Sequence, residues 1–560
     1  MNIRKAIVLA AGHGTRLRPF TCATPKPLMP VWGEPMLGRI VELLRSWGVD
    51  DFAFNSHCLH EQVKAWADGF RRGAAAAGTK IRVKVSYEPE ILGTGGVLNP
   101  LREWIAGEPF YLVNGDIVVE NAPNPVAKIR NFDSPSVLGA ALVTDSGPRT
   151  IEVEPESGFV TNWKSSDAGW DGTFTYCGIA ALKPEILDHV EPSGFSSIVQ
   201  AYERAMTKGK FVKAVKSREM LWTDAGTIPS YIDLNRDGDD NAFTAIPQIA
   251  AALEAVGLSA DSRVEFMGAR GSERVFFKCD RGIVILYDDG NRDENGLYAG
   301  HARWLREQGV AVPEVLADLS AIKTLVLADA GKERKMTLED YVKVVEALVK
   351  FNALGPLAQD PECPAKLLPD FDSDTWEWER GLFEKYCLKA NFQRPLPDDV
   401  RAELEGVAAE LEREPKALVH RDFQSTNVLW QGDRLSIIDF QGMRLGPAIY
   451  DLASLVYDPY VTFTAGERRA LVKLYAKESH RPEVEQRTAL AAVERLCQCL
   501  GAYGRLASVG QPQFSKHVVP ALENLHEAAE LAGLPATARL AHELIHLAGG
   551  HHDHHDCHCH

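Results

Sequence analysis

The chain has 560 residues, of which 45% are hydrophobic and 25% charged, ordinary values for globular protein and enough chain for about three folding units. Its formal net charge of −16 disfavours nucleic acids and anionic membranes as partners, because both require a basic surface. No apolar run approaches the ~20 residues of a membrane-spanning helix. The ten cysteines are scattered without a paired framework, so we expect a reducing, cytoplasmic location.

Strand-like and helix-like segments alternate from residue 1 to about residue 238. The run AIVLAAG is short, apolar and bounded by glycine, and the apolar runs in PFYLVNGD and EMLWTDAG each end in an aspartate. This alternation predicts an α/β, Rossmann-like domain over residues 1–238, with a mostly parallel sheet covered by helices. Gly12, Asp116 and Asp224 each follow such a run, so we expect them to meet beyond the carboxyl ends of the strands.

The segment LAAGHGTRLRPFTCATPKPLMP (9–30) combines a glycine loop with two cations. Glycines after a buried strand let backbone N–H groups approach phosphate oxygens without an intervening Cβ. Arg16 and Lys26 supply positive charge for a triphosphate, and the prolines on either side of Lys26 stiffen its backbone. A glycine loop alone is a weak signal, but the whole combination is specific for phosphate handling.

The motifs LAAGHGTRL, PKP, GTGG, NGD and WTDAGT resemble the signature of the sugar-1-phosphate nucleotidylyltransferases. The resemblance implies nucleotidyl transfer to a sugar 1-phosphate, with Arg16 and Lys26 as catalytic residues and Mg²⁺ held between Asp116 and Asp224. A divalent cation relieves the repulsion between two facing carboxylates. No side-chain base is required, because the attacking oxygen belongs to an ionised phosphate. The implied nucleotide contacts are Leu9, Ala10, Ala11, Gly12, Gly14, Thr15 and Gly95, and the implied sugar contacts are Gly96, Asn114, Lys164 and Gly178.

The sequence changes character after residue 238. The stretch NRDGDDNAF is polar and acidic and predicts a linker over residues 239–260. The following ERVFFKCDRGIVILYDDG predicts a hairpin, and the later pattern is mainly helical, so we expect residues 261–545 to form an α+β, two-lobed domain. Residues 546–560 are rich in His and Cys. Such tracts can bind metals, but a tail outside both folds is the favoured interpretation.

The stretch LVHRDFQSTNVLW (418–430) ends an apolar run in Asp422 and places Asn427 five positions later, and Asp439 follows in IIDFQG. In phosphoryl transfer from ATP, an aspartate accepts the proton of the attacking hydroxyl, while an Asn and a second Asp hold the Mg²⁺ that bridges the phosphates. The spacing therefore predicts a kinase centre, with Asp422 as catalytic base and Asn427 and Asp439 as metal ligands.

Residues from about 260 to 540 resemble the aminoglycoside phosphotransferase and choline kinase group, and within it the anomeric kinases of N-acetylmuramate and N-acetylglucosamine. The shared segments include GSERVFF, ARWLREQGVAVPEVL and IIDFQGMRLGPAIYDLASLVYD. In that group the residue equivalent to His420 supports the catalytic loop. The third small-lobe strand carries Tyr287 near the place where many kinases have a lysine, so we expect Lys278 or Arg274 to contact the ATP phosphates instead. The implied ATP contacts are Gly268, Gly271, Ser272 and Lys278.

The two halves describe consecutive reactions. A kinase makes a sugar 1-phosphate from ATP and a free sugar, and a nucleotidylyltransferase joins that product to a nucleoside triphosphate and releases pyrophosphate. The leading hypothesis is a bifunctional enzyme for N-acetylmuramate, N-acetylglucosamine or both, using UTP and Mg²⁺ in cell-wall sugar recycling. Three alternatives stay open: choline kinase with phosphocholine cytidylyltransferase, a mannose or heptose kinase with a guanylyltransferase, and a non-catalytic C-terminal binding module.

Overall fold

The computed structural model describes residues 2–164, 173–236, 242–270 and 273–550. The chain forms two compact units. The first contains the residues up to Asn291 together with Ala317–Val326, and the second contains Arg292–Leu316 and the residues from Leu327 onward. Within the described ranges, no helix has both the length and the apolar character needed to cross a membrane. Each unit carries one of the two predicted aspartate centres.

The first unit contains a nine-stranded sheet covered by helices. The strands of this sheet and of two small ribbons are β1 (Lys5–Leu9), β2 (Pro30–Val31), β3 (Glu34–Pro35), β4 (Asp51–Ser56), β5 (Arg82–Tyr87), β6 (Phe110–Asn114), β7 (Ile117–Glu120), β8 (Val137–Thr144), β9 (Ile151–Val153), β10 (Val160–Asn162), β11 (Thr173–Leu182), β12 (Phe211–Lys216) and β13 (Leu221–Asp224). The helices of this unit are α1 (Met36–Ser46), α2 (His60–Ala76), α3 (Gly93–Gly96), α4 (Arg102–Ile105), α5 (Pro125–Lys128), α6 (Ile198–Met206), α7 (Ile228–Arg236) and α8 (Pro247–Ala255).

The strand order of the large sheet is β10-β9-β11-β6-β1-β4-β5, and β8 and β12 extend it from β11. The central strands β6, β1, β4 and β5 are parallel to one another, whereas β11 is antiparallel to β6. Ala6 and Val8 of β1 belong to one hydrophobic cluster and Ile7 to another, because side chains alternate across a strand. A strand buried on both faces is typical of a parallel sheet with helices on both sides, which confirms the predicted α/β class.

A second, five-stranded sheet belongs largely to the first unit. Its strands are β14 (Glu265–Arg270), β15 (Arg274–Cys279), β16 (Gly282–Tyr287), β17 (Val315–Leu319) and β18 (Thr324–Leu327), and they follow the order β14-β15-β16-β18-β17. Strands β15 and β16 pair antiparallel across a two-residue turn and form the expected hairpin.

One hydrophobic cluster, here called the shared core, joins this second sheet to the signature segment. Val275 and Phe277 of β15 lie in the same cluster as Leu17 and Phe20, which follow the glycine loop. Although the sequence predicts a linker over 239–260, helix α8 also contributes to the cluster. Its members there are Ile249, Ala252 and Leu253, at the i, i+3 and i+4 spacing of a helix that buries one face.

The second unit is mainly helical. Its helices are α9 (Tyr298–Glu307), α10 (Leu338–Asn352), α11 (Gly355–Ala358), α12 (Ser373–Leu382), a π-helix (Phe383–Asn391), α13 (Asp398–Glu412), α14 (Ala448–Val456), α15 (Ala465–Glu478), α16 (Val484–Ser508), α17 (Val518–Leu531) and α18 (Pro535–Gly550). Four short strands form two antiparallel pairs, β19 (Lys416–Val419) with β22 (Arg444–Pro447) and the hairpin of β20 (Val428–Gln431) with β21 (Arg434–Ile437). Helix α18 continues beyond residue 545, the predicted end of the domain, and residues 551–560 lie outside the described ranges.

Candidate active sites

The glycine loop after β1 forms one wall of a pocket in the first unit. The Ala10 backbone N–H donates a 2.6 Å hydrogen bond to the side chain of Asn55. Gly14 has a φ of +62°, and a Cβ there would lie 2.9 Å from Thr21 Cγ2, so both conformation and space favour glycine. The residues predicted from sequence that line this pocket are Leu9, Ala11, Gly12, Gly14, Thr15, Arg16, Lys26, Asn114 and Asp116.

Lys26 lies between the two predicted metal-binding carboxylates. Its Nζ is 2.6 Å from Asp116 Oδ2 and 3.8 Å from Asp224 Oδ1, and its side chain is only 7% exposed. Arg16 Nη2 is 3.6 Å from Asp224 Oδ2. Strands β7 and β13 pair with Asp224 opposite Ile117, so the sheet brings together two aspartates that are far apart in sequence. The ammonium is thus nearly buried between two carboxylates that offset its loss of hydration.

The same two carboxylates fit a magnesium ion. Mg²⁺ prefers hard oxygen ligands and usually keeps room for water and phosphate oxygens in its octahedral shell. The side chain of Asp116 is 38% exposed and that of Asp224 43% exposed, which leaves such room. A Cβ on Gly115 would lie 2.3 Å from the Leu9 carbonyl oxygen, so the glycine of NGD allows this close approach to β1.

Two residues of the GTGG motif pack against neighbouring backbone, and the other two line the pocket. The N–H groups of Gly95 and Gly96 both donate to the Ser196 carbonyl, at 2.8 and 3.1 Å. A Cβ on Gly95 or Gly96 would come within 2.8 or 2.6 Å of neighbouring backbone atoms, so both glycines permit close packing. The pocket itself is lined by Gly93 and Thr94 of the same motif.

Asn114 and Gly178, two of the predicted sugar contacts, touch each other. Gly178 has a φ of +76°, and a Cβ there would lie 2.6 Å from Asn114 Nδ2. Lys164, another predicted sugar contact, is exposed and pairs with Glu203 at 3.1 Å. The structure therefore places Asn114 and Gly178 side by side, and it places Lys164 in an ion pair at the surface.

Two buried residues behind the glycine loop were not predicted from sequence. Asn55, which accepts from Ala10, donates through Nδ2 to Glu88 Oε1 at 2.8 Å, and the Leu92 N–H donates to Glu88 Oε2 at 2.9 Å. Asn55 is 3% exposed and Glu88 1% exposed. This chain of hydrogen bonds ties the glycine loop to the segment before GTGG. The only sequence signal is a polar residue at the end of each of two strands.

In the second unit, Asp422 lies on a loop between β19 and β20. Its Oδ1 is 3.0 Å from Arg495 Nη1, which comes from helix α16 and is 5% exposed. Asn427 Nδ2 donates to the Asp422 backbone carbonyl at 2.7 Å and holds the loop closed. The Asp422 side chain is 43% exposed, so its second oxygen can reach a substrate hydroxyl.

Two wholly buried carboxylates hold this loop from behind. Asp451 accepts from the backbone N–H groups of His420 and Arg421 at 2.7 and 2.8 Å, and burial raises the pKa of its carboxyl to about 6. Asp458 accepts from the Ser425 N–H at 2.8 Å, and burial raises its pKa as well. Neither aspartate was predicted as a site residue, because both lie in the apolar stretch YDLASLVYD, which is typical of a core helix.

His420 is buried and supports the loop. Its Nε2 is 2.8 Å from the Ile438 carbonyl oxygen, so that nitrogen donates and the ring links the loop to the end of β21. The ring also lies 5.9 Å from Phe351 and 5.5 Å from Phe423, centroid to centroid. These contacts agree with a packing residue rather than a reacting one.

The two predicted kinase metal ligands flank one hairpin. Val428 pairs with Ile437, so Asn427 and Asp439 lie near the same end of β20 and β21, and the Ile438 N–H donates to the Asn427 carbonyl at 3.0 Å. Asp439 has a φ of +65°, and its Oδ1 accepts from Gln441 Nε2 at 3.0 Å. An amide oxygen and a carboxylate are both donors that Mg²⁺ accepts.

A cation and an exposed aromatic ring adjoin Asp422. Arg421 has a φ of +79°, its Nη2 is 3.6 Å from Glu379 Oε1, and its guanidinium lies 5.4 Å from the Trp378 ring. Glu379 is fully buried and accepts from the Tyr450 hydroxyl at 3.0 Å. Since Trp378 is 48% exposed, it leaves apolar ring surface open beside the loop.

The predicted ATP contacts of the small sheet belong to the first unit. Gly268 has a φ of +143°, and Gly271 and Ser272 lie outside the described residues. On β15, Lys278 is exposed and Arg274 is 8% exposed and directly opposite Tyr287. Arg274 therefore stands beside the position where the third-strand lysine was expected.

Comparison with known families identifies two domains. Residues 5–149 match the family described as Nucleotidyl transferase, and residues 283–487 match the Phosphotransferase enzyme family. The chain therefore joins a nucleotidyl transferase domain to a phosphotransferase domain, as the two sets of motifs predicted. The two domains support nucleotidyl transfer and phosphoryl transfer as enzymatic activities of one chain.

Individual relatives match the N-terminal part. The chain is 28% identical over 233 residues to an N-acetylmuramate alpha-1-phosphate uridylyltransferase of Neisseria meningitidis, covering 40% of this chain and 94% of that protein. It is 28% identical over 239 residues to mannose-1-phosphate guanylyltransferase 1 of Arabidopsis thaliana, covering 41% of this chain but only 63% of that protein's length. A solved inositol-1-phosphate CTP transferase from T. maritima aligns over 46% of this chain and 99% of its own length, at 17% identity and a TM-score of 0.35.

Proposed function

We propose that this chain catalyses two consecutive reactions on an amino sugar. Residues 261–545 phosphorylate the free sugar at its anomeric hydroxyl with ATP, and residues 1–238 couple the sugar 1-phosphate to UTP and release pyrophosphate. The observation that carries the proposal is the presence in one chain of two aspartate clusters. Lys26 stands between Asp116 and Asp224, and Asp422 stands on a loop with Asn427.

In the first reaction, Asp422 accepts the proton of the anomeric hydroxyl as that oxygen attacks the γ-phosphorus of ATP. Arg495 orients the carboxylate, because it pairs with one of its oxygens from a buried position. Asn427 and Asp439 would hold Mg²⁺, which supplies positive charge to the ATP phosphates when bound. The sugar 1-phosphate and ADP are the products.

In the second reaction, an oxygen of the sugar 1-phosphate attacks the α-phosphorus of UTP. Asp116 and Asp224 would hold Mg²⁺, which supplies charge between the reacting phosphates when bound. Lys26 and Arg16 stabilise negative charge on the α-phosphate and on the departing pyrophosphate. The backbone of the glycine loop provides N–H groups at the same pocket.

Two features favour an amino sugar with a carboxylate, that is, N-acetylmuramate. The relative from Neisseria meningitidis is named an N-acetylmuramate alpha-1-phosphate uridylyltransferase, and the match covers 94% of its length. Arg421 next to Asp422 offers a cation for a substrate carboxylate, and Trp378 offers an apolar face for a sugar ring. N-acetylglucosamine lacks the carboxylate and would use only the second contact. The free thiols of the described cysteines agree with a reducing cytoplasm, where cell-wall sugars would be recycled.

The test is a substrate panel with the purified chain and Mg²⁺. N-acetylmuramate, N-acetylglucosamine, mannose, a heptose and choline are each supplied with ATP, and ADP release is measured. Each phosphorylated product is then supplied with UTP, GTP or CTP, and pyrophosphate is measured. We expect ADP only with the amino sugars and pyrophosphate chiefly with UTP. Absence of ADP with every acceptor would instead favour a C-terminal binding module.

A mannose kinase with a guanylyltransferase is the second candidate. The 28% identity to a mannose-1-phosphate guanylyltransferase equals that to the uridylyltransferase, although it covers only 63% of the plant protein. The same panel separates the two, because this candidate requires turnover of mannose with GTP.

A further inference from the structure

Three side chains beside the glycine loop form a cluster that the proposed function does not use. His13 lies between the two glycines of the loop, and His57 and Cys58 follow β4. One ligand atom from each of the three lies within 4.8 Å of the others. His13 Nδ1 is 3.2 Å from Cys58 Sγ, and the two imidazole rings meet edge to face at 5.3 Å.

The hydrogen bond of His57 fixes which of its nitrogens is available. His57 Nδ1 is 2.7 Å from the backbone carbonyl oxygen of Glu88. A carbonyl oxygen only accepts, so Nδ1 carries the proton and Nε2 keeps a free lone pair. A histidine that donates its other ring N–H to a backbone carbonyl is the usual arrangement of a metal ligand.

The carbonyl that orients His57 is itself held in place. The Glu88 side chain is 1% exposed and is bound by Asn55 Nδ2 and by the Leu92 N–H. The His57 ring is therefore positioned by a buried network before any ion arrives. Rigid support of this kind lowers the cost of binding, because a ligand side chain need not be ordered at that moment.

The donor set selects the class of cation. Two imidazoles and a thiolate suit borderline ions such as Zn²⁺ and Co²⁺, whereas Mg²⁺ prefers oxygen. Tetrahedral zinc with Zn–S of ~2.3 Å and Zn–N of ~2.0–2.1 Å places its ligand atoms about 3.3–3.6 Å apart, close to the present N···S separation. Three protein ligands leave a fourth position open to water or another oxygen ligand.

We propose that His13, His57 and Cys58 bind a zinc-class divalent cation, and that this ion opposes binding of the nucleoside triphosphate. His13 lies between Gly12 and Gly14, and it lines the same pocket as Arg16. A bound ion ties the His13 side chain to His57 and Cys58, so the loop loses the freedom to wrap around phosphates. Without an ion, the same residues make an edge-to-face ring contact and a weak hydrogen bond to sulfur.

The first test measures binding and needs no turnover, so it is independent of the proposed reactions. Full-length apo protein is titrated with Co²⁺, and the thiolate-to-cobalt charge-transfer absorbance is recorded. In the Cys557→Ser, Cys559→Ser variant we expect one equivalent of this absorbance, lost when Cys58→Ser is added. The matched control is Cys557→Ser with Cys559→Ser, because the His- and Cys-rich end offers competing thiols, and this control should keep the band. A band that survives Cys58→Ser in this double-variant background, or that is missing from the double variant itself, would overturn the site.

Folding of the variants is checked by circular dichroism, and His57→Gln provides a second route if Cys58→Ser does not fold. In His57→Gln the thiol remains but an imidazole is lost, so Co²⁺ should bind at least about tenfold more weakly. An unchanged dissociation constant would remove His57 from the site.

The second test measures the effect on the nucleotide. The dissociation constant of UTP is determined by calorimetry with EDTA and then with one equivalent of Zn²⁺, both in the absence of sugar. We expect Zn²⁺ to weaken UTP binding about fivefold or more, within the usual range of coupling between sites. Cys58→Ser should abolish this difference. Equal UTP affinity with and without Zn²⁺ in the wild-type chain would refute the antagonism.

Discussion

The two proposed catalytic centres hold their carboxylates in opposite ways. In the nucleotidyl transferase domain, Asp116 and Asp224 stay partly exposed and share one nearly buried ammonium, that of Lys26. In the phosphotransferase domain, the backbone around Asp422 is bound by a fully buried carboxylate, that of Asp451. A centre that binds phosphates relies on nearby cations, and its carboxylates can remain exposed to solvent. A centre that uses a general base must fix one carboxylate within reach of one hydroxyl, and a buried scaffold provides that precision.

Removing Asp422 should give the largest effect and should separate the two centres. Asp422→Ala deletes the proton acceptor, so ADP release with the free sugar should fall about 100- to 10,000-fold. Formation of UDP-sugar from supplied sugar 1-phosphate should stay within about twofold of wild type. The matched control is Asp433→Ala, whose side chain is 90% exposed and which should leave both activities unchanged.

Asp116→Ala should produce the reverse pattern. Loss of a carboxylate beside Lys26 should lower uridylyl transfer by about 100-fold or more, while phosphorylation of the free sugar continues. Asp233→Ala, which removes an exposed carboxylate of the same domain, is the control. If both aspartate variants lost both activities while folded, the independence of the two centres would be wrong.

A substitution in the shared core should show how much that core stabilises the first unit. Phe277→Ala empties a wholly buried ring position and should lower the free energy of unfolding of the first unit by about 3–5 kcal/mol. The expected observation is heat inactivation of uridylyl transfer at a lower temperature, although Phe277 lies outside the nucleotidyl transferase match. Phe276→Ala, on the opposite face of β15, is the control and should shift inactivation less. Equal shifts would show that the shared core does not stabilise the N-terminal domain.

The buried carboxyl of Asp451 should make the free energy of unfolding depend on pH. Burial raises its pKa to about 6, above the ordinary ~3.9 of an unfolded chain. The folded protein therefore holds a proton that the unfolded chain releases, and this group lowers the free energy of unfolding as pH rises from about 4 to 6. Asp451→Asn removes the titration. The free energy of unfolding lost in Asp451→Asn relative to wild type should be largest near pH 4. Near pH 7 this loss should be smaller, and the two losses should differ by at most about 3 kcal/mol.

Unfolding by urea at several pH values measures that difference for Asp451→Asn and for the exposed control Asp433→Asn. The control should show a constant difference from wild type. A constant difference for Asp451→Asn as well would mean that its carboxyl is not held protonated near pH 5, and the contrast between exposed and buried scaffolds would weaken.

What the sequence could predict depends on how local the chemistry is. The glycine loop, NGD and HRDFQSTN are contiguous stretches whose residue types and spacing carry their own physical meaning, so the sequence alone singled out Lys26, Asp116 and Asp422 as candidates. Asn55 and Asp451 were not, because each acts through a hydrogen bond to a backbone that the fold brings near. A polar residue inside an apolar run has no sequence feature that separates a scaffold from an ordinary core position.

The helix within the predicted linker was missed for a related reason. The polar stretch NRDGDDNAF indicated a boundary, and the short apolar helix behind it, α8, buries its apolar face in a cluster whose members are mostly distant in sequence. The same cluster contains residues of the signature segment and of β15, which only the three-dimensional packing reveals. A helix such as α8, whose apolar face lies in a cluster with residues from two different sheets, is difficult to assign from the periodicity of its own sequence.

The shared core also limits how the two activities can be divided or exchanged. A protease cut or a gene truncation within 239–260 would leave apolar surface uncovered on both fragments, since Phe20 and Phe277 would each lose neighbours. Recombination at this point would need compatible surfaces on both sides, and a kinase half borrowed from another protein would not bring them. Residues on both sides of 239–260 therefore depend on the same hydrophobic core for folding, even if the two reactions are independent.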